Sequence, residues 1–217
     1  MSRETDNLIA SLSSELKPVR SPLPVELVAL LWLASSAAFV MAITHLFGPI
    51  RPNALHQLVT EPRFLFESVL GVVAITYTAI VSFRCAIPGA ASKRSIVTAL
   101  GLLALWLANY VYGLSDPALD PSMEGKRPHC IWETMMFAAP PAVLAYFITR
   151  RLYPLKPVRS AMLFSLVAGM LPALYMQIAC MYAPMHILQM HILPGFLVML
   201  AGGAIVWFLS WLKQRRQ

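Results

Sequence analysis

The chain has 217 residues, 58% of them hydrophobic and only 12% charged, with a net charge of +7. A soluble domain carries about 25% charged residues, so composition excludes a water-solvated globular fold. It also makes the basic surplus a membrane-flanking feature rather than a nucleic-acid footprint. No direct nucleic-acid binding is expected.

Residues 1–24 hold Arg3, Glu4, Asp6, Glu15, Lys17 and Arg20 with no apolar run. A cleavable signal peptide is therefore not expected, and the segment stays on the protein. Asp6 can cap a short helix in which Leu8, Ile9, Leu12 and Leu16 recur at helical spacing until Pro18 ends it. Two or three turns of helix are marginal in water. The stripe needs a partner: the lipid surface, the protein's own bundle, or another protein. Burying four such side chains yields roughly 6–12 kcal/mol gross. Ordering the segment takes back about 2–5 kcal/mol, and the remainder is enough for a protein partner.

A bilayer core about 30 Å thick needs about 20 apolar helical residues. Six stretches meet this, at about 25–47, 63–83, 95–114, 131–149, 160–183 and 190–212. The expected fold is all-α: a six-helix transmembrane bundle over 25–217, in contact with the lipid bilayer, preceded by the short cytoplasmic amphipathic helix of 1–24. The fourth span is the least regular, with Glu133 near its start and Pro140-Pro141 in its middle, and a kink is expected there.

Orientation follows from the cations. Arg3, Lys17, Arg20, Arg84, Lys93, Arg94, Arg150, Arg151, Lys156, Arg159, Lys213, Arg215 and Arg216 fall on one side, and only Arg51, Arg63, Lys126 and Arg127 on the other. The positive-inside rule places both termini in the cytoplasm of a bacterial-type inner membrane. A short repeat, residues 16–21 and again 155–160 (Leu-Lys-Pro-Val-Arg-Ser), precedes two spans. It reads as a helix stop with an inner anchor, not as an inverted repeat.

That orientation sorts the reactive side chains. Cys130 and Cys180 come to the outer side, with all five histidines (His45, His56, His129, His186, His191) and with Met181, Met185 and Met190, whereas Cys85 lies at the inner end of the second span. Cys130 and Cys180 can form a disulfide in an oxidising compartment. With His129 or His186 they can instead bind a soft or borderline metal, or they can serve as small apolar filler. Glu133 reads as a helix-start charge at the favourable end of the dipole.

Taken in order, these elements resemble the NrsF-type integral membrane anti-sigma factors, formerly a domain of unknown function. The likeness is carried by Asp6-Asn7-Leu8-Ile9 with Leu12, Leu16, Pro18, Val19 and Arg20, and by Pro88-Gly89. It continues through Cys130, Pro140-Pro141, Arg150-Arg151, Pro154, Pro157, Gly169, Tyr175 and Cys180. The chain departs from the family pattern at Ala179, where a histidine precedes the second cysteine.

The resemblance implies a non-enzymatic regulator that sequesters an extracytoplasmic-function sigma factor on the cytoplasmic side. It implies release when heavy-metal or oxidative stress acts on Cys130 and Cys180, and no cofactor beyond transient heavy-metal binding. Asp6, Leu8, Ile9, Leu12 and Leu16 are then the expected sigma-binding residues. Two alternatives remain: a membrane thiol-disulfide oxidoreductase, which needs a relay of cysteine pairs, and a small metal transporter, which needs ionisable groups near mid-bilayer.

Overall fold

The computed structural model describes residues 3–14 and 23–215. Helix α1 (Arg3–Ser14) is followed by α2 (Val25–Phe47), the short α3 (Ala54–Thr60), α4 (Pro62–Cys85), α5 (Lys93–Gly113) and α6 (Cys130–Thr149). A 3-10 turn over Arg150–Leu152 closes α6, and then come α7 (Pro157–Ala179), α8 (Pro184–Ile187), a π-helical segment (Leu188–Ile192) and α9 (Leu193–Gln214). Six of these helices are long and apolar enough to cross a membrane, the last running through α8 and the π segment as Pro184–Gln214. The protein is an all-α membrane bundle. In lipid a lone helix satisfies its own backbone polar groups, and each of these spans does so.

The helices run alternately up and down, which gives the bundle two ends. At one end Glu26 at the start of α2 pairs with Arg84 at the end of α4, 2.6 Å apart. There too Ser160 at the start of α7 donates to the Cys85 carbonyl, 3.3 Å away. At the other end Arg51, after α2, donates its backbone N–H to the carbonyl of Ala179 at the end of α7, 2.9 Å away.

Helix α7 is the axis. It packs against α9, α6, α4 and α2 and is buried almost all round. Its seam with α9 is made of small residues: Ala161, Ser165 and Gly169, four apart, face Gly202 and Gly195, while Gly203 makes room for the Met162 side chain. A Cβ on Gly169 would lie 2.6 Å from the Gly195 carbonyl oxygen. The two backbones therefore touch, and the dispersion contact replaces the hydrophobic drive that lipid does not supply. Prolines 140 and 141 do not end α6, which is continuous to Thr149. Trp32 of α2 donates to the Pro141 carbonyl, 3.0 Å away, and ties the first span to this stretch.

Three boundaries differ from expectation. Helix α7 stops at Ala179, not near 183, because Cys180 is extended (φ −99°, ψ 178°) and Pro184 forces Ala183 out of the helical region (φ −152°, ψ 122°). The sixth span begins correspondingly early, at Pro184. Helix α1 starts at Arg3, so Asp6 lies within its first turn and not before it; a carboxylate in that turn faces the positive end of the helix dipole. Leu16, Pro18 and the first copy of the repeat lie outside the described residues.

Candidate functional site

The break between α7 and α8 builds the site. Ending α7 at Ala179 leaves Cys180 as its cap, fully buried, with its N–H still bonded to the Met176 carbonyl at 2.8 Å. Cys130 is the first residue of α6, 4% exposed. The two sulfurs stand 3.4 Å apart, and both thiols are free. Cys130 also points its thiol at the Arg127 carbonyl, 3.3 Å away. Phe137, Met176 and Met181 pack around the pair and exclude water.

Two histidines join it. His186, half-buried on α8, brings Nε2 to 3.5 Å from the Cys180 sulfur. His191 sits on the π segment, whose extra residue per turn rotates its ring inward. That ring is fully buried, edge-on to His186 with centroids 5.0 Å apart. Thr134 holds its Nδ1 at 3.3 Å, and Nε2 has no hydrogen-bond partner. One ligand atom from each of Cys130, Cys180, His186 and His191 lies within 4.8 Å of all the others. The hydrogen bond from Cys130, reinforced by that from His186, holds the Cys180 thiol well below the ordinary cysteine range, against the opposing effect of burial.

Buried charge braces the surroundings. Arg127 donates from Nε to Glu133 at 2.6 Å, from Nη1 to the Pro49 carbonyl at 2.9 Å and from Nη2 to the Thr44 carbonyl at 3.3 Å. Glu133 is thus a paired helix-start charge rather than a member of the sulfur–imidazole group. Tyr182 donates to Glu67, 2.9 Å to the nearer oxygen, and accepts from the Ala118 N–H at 3.2 Å. Burial and the Glu67 carboxylate hold its phenol well above the usual tyrosine range. Through Tyr182 the loop of residues 114–129 is fastened over the site, because the Tyr182 carbonyl also accepts from the Ser122 N–H at 3.1 Å.

Of the residues singled out in the sequence, Cys130, Cys180 and His186 come together. His129 is exposed and stands outside the group. His191 was visible only as one of five histidines at helix ends; no spacing pattern marks a π segment as the place where a ring turns inward. Far from the pair in sequence, α1 has no buried residue, and Leu8, Ile9 and Leu12 are each more than half exposed. Cys85 is half-buried at the opposite end of the bundle.

A six-span helical membrane protein with a buried sulfur–imidazole cluster at one end and an uncovered apolar helix at its N-terminus has the parts of a regulator. Residues 12–211 match the family described as NrsF, negative regulator of sigma F, and the chain belongs to that family. It is accordingly a negative regulator of a sigma factor. No curated protein and no solved structure matches it.

Proposed function

We propose that the chain is an inner-membrane anti-sigma factor that holds an extracytoplasmic-function sigma factor through α1 on the cytoplasmic side. It releases that factor when heavy-metal or oxidative stress acts on Cys130 and Cys180 at the periplasmic side. The observation that carries this reading is the sulfur pair itself: two free, buried thiols 3.4 Å apart, brought together from residues 50 apart in sequence. Buried cysteines scattered as filler have no reason to meet with two imidazoles beside them.

The pair bridges the start of α6 to the end of α7. These helices lead directly to residues 150–156 at the other end, where Tyr153 takes a left-handed conformation (φ 53°). A change in the bonding of the two sulfurs therefore biases the packing of α6 against α7. Coupling requires that the two packings differ in affinity for the sigma factor. The exposed Leu8, Ile9 and Leu12 supply the apolar stripe for that partner, with Asp6 on the same helix and Leu16 continuing the spacing.

The test is co-purification of the sigma factor with the full chain. Replacing Leu8 and Leu12 together by Glu removes about 3–6 kcal/mol of burial, so capture weakens at least about 100-fold. Capture at wild-type strength would remove α1 from the mechanism.

A further inference from the structure

We infer that Cys130, Cys180, His186 and His191 are a complete four-ligand site for a zinc-class divalent cation such as zinc or cadmium. The site's role in signalling rests on the anti-sigma reading above; its geometry does not.

Three observations support it. First, the two spacings made by the Cys180 sulfur are those of a coordination tetrahedron. Metal–sulfur bonds of about 2.3 Å and metal–nitrogen bonds of about 2.0–2.1 Å make ligand–ligand edges of roughly 3.4–3.8 Å. The Cys130–Cys180 and Cys180–His186 edges measure 3.4 and 3.5 Å, and no pair in the group exceeds 4.8 Å. Second, His191 is fully buried with Nε2 left without a hydrogen-bond partner, while Thr134 fixes Nδ1. A buried ring nitrogen without a partner is costly. A ring steadied through its other nitrogen is the arrangement that orients a metal-ligating histidine. Third, two thiolates, two neutral imidazoles and a divalent cation sum to zero charge. A complex without net charge is one that burial among Phe137, Met176 and Met181 favours.

Two sulfurs and two nitrogens in a tetrahedron select zinc-class ions over hard cations. All four positions come from protein, so none is left open for a substrate and the site is sensory or structural rather than catalytic. The ligands come from the start of α6, the end of α7, α8 and the π segment. Occupancy would therefore fix three successive parts of the bundle to one another. A disulfide between Cys130 and Cys180 would withdraw half the donor set, so the two states exclude each other.

The experiment is a cobalt(II) titration of the purified, reduced full chain in detergent, followed by zinc competition. The expected result is one cobalt per chain, with the intense visible absorption of a four-coordinate site and a thiolate charge-transfer band, both removed by one equivalent of zinc. His186→Gln and His191→Gln should each weaken zinc binding at least about 10-fold, Cys130→Ser should at least halve the charge-transfer band, and Cys130→Ser with Cys180→Ser should abolish it. His186 is only half-buried, so its variant carries the test should the His191 variant misfold on size-exclusion chromatography. No cobalt bound by the reduced wild-type chain, or wild-type zinc affinity in both histidine variants, would overturn the site. Sigma-factor capture is measured on the same samples: if it persists while cobalt does not bind, the metal site fails and the anti-sigma reading stands.

Discussion

Arg127 and Glu133 form a buried ion pair at 2.6 Å, and the same guanidinium reaches two carbonyls at the end of α2. One side chain thus neutralises the acidic start of α6 and terminates the orphan carbonyls of a different span. Gly48 lies against it: a Cβ there would sit 3.2 Å from the guanidinium, a tight contact. This pair sets where α6 begins, and therefore where Cys130 points.

Breaking the pair from one side leaves a buried charge without its counter-ion, which costs about 3–5 kcal/mol. Glu133→Gln should therefore lower the detergent-solubilised melting temperature sharply. The double change Arg127→Met with Glu133→Leu should recover much of the loss, because it leaves no charge behind. Equal melting temperatures for Glu133→Gln and wild type would show that the pair is not holding the start of α6.

The seam between α7 and α9 gives a second contrast, between two glycines. At Gly169 a Cβ would meet the Gly195 backbone at 2.6 Å, whereas at Gly101, on the exposed side of α5, it meets nothing within 4 Å. Gly169→Ala should separate the two helices and destabilise the bundle by about 1–3 kcal/mol, as overpacking does. Gly101→Ala should be neutral or stabilising by about 0.5–1 kcal/mol, since alanine is the better helix former. Thermal unfolding of the two variants side by side decides this; destabilisation by Gly101→Ala would mean that its face is covered.

Much of this was legible in the sequence. Hydropathy marks all six spans, since lipid demands a length of apolar helix whatever the packing. The meeting of Cys130 with Cys180 was open to expectation because topology puts both at the same end. What hydropathy cannot see is a local break in an apolar run. The four residues between α7 and α8 are as apolar as the helix they interrupt, yet Pro184 and the extended Cys180 end it. The inward turn of His191 comes from a π segment with no sequence signature. Arg127 read as a loop cation because burial of an arginine depends on a carboxylate six positions later and on carbonyls from another span.

If Cys130 and Cys180 are the sensors proposed above, serine in place of either should separate sensing from folding. The hydroxyl of Cys130→Ser can still donate to the Arg127 carbonyl that the thiol now faces, so the bundle should assemble normally. Cadmium-induced release of the sigma factor should be lost in Cys130→Ser and in Cys180→Ser, measured as reporter transcription from a sigma-dependent promoter. A full cadmium response in the double variant would mean that the stress is read elsewhere.

Sidedness is the premise of the whole relay, and the structure sharpens the charge count behind it. Lys93, Arg94, Arg150, Arg151, Lys156, Arg159, Lys213 and Arg215 are all exposed at the end opposite the sulfur pair. Of the four cations at the pair's own end, Arg51 and Arg127 are buried, Arg63 is bonded to Asp116 at 2.7 Å, and among the described residues Lys126 alone is exposed without an ion-pair partner. The asymmetry in free positive charge is thus steeper than the composition alone indicates. Under the proposed orientation, which this charge asymmetry supports, α1 would lie in the cytoplasm and the loop of residues 114–129 outside. In a background lacking the three native cysteines, Ser13→Cys should resist a membrane-impermeant maleimide in intact cells, and Met123→Cys, on the exposed part of the loop, should react with it. Labelling of both from outside would put α1 beyond the reach of any sigma factor, however well the sulfur pair is built.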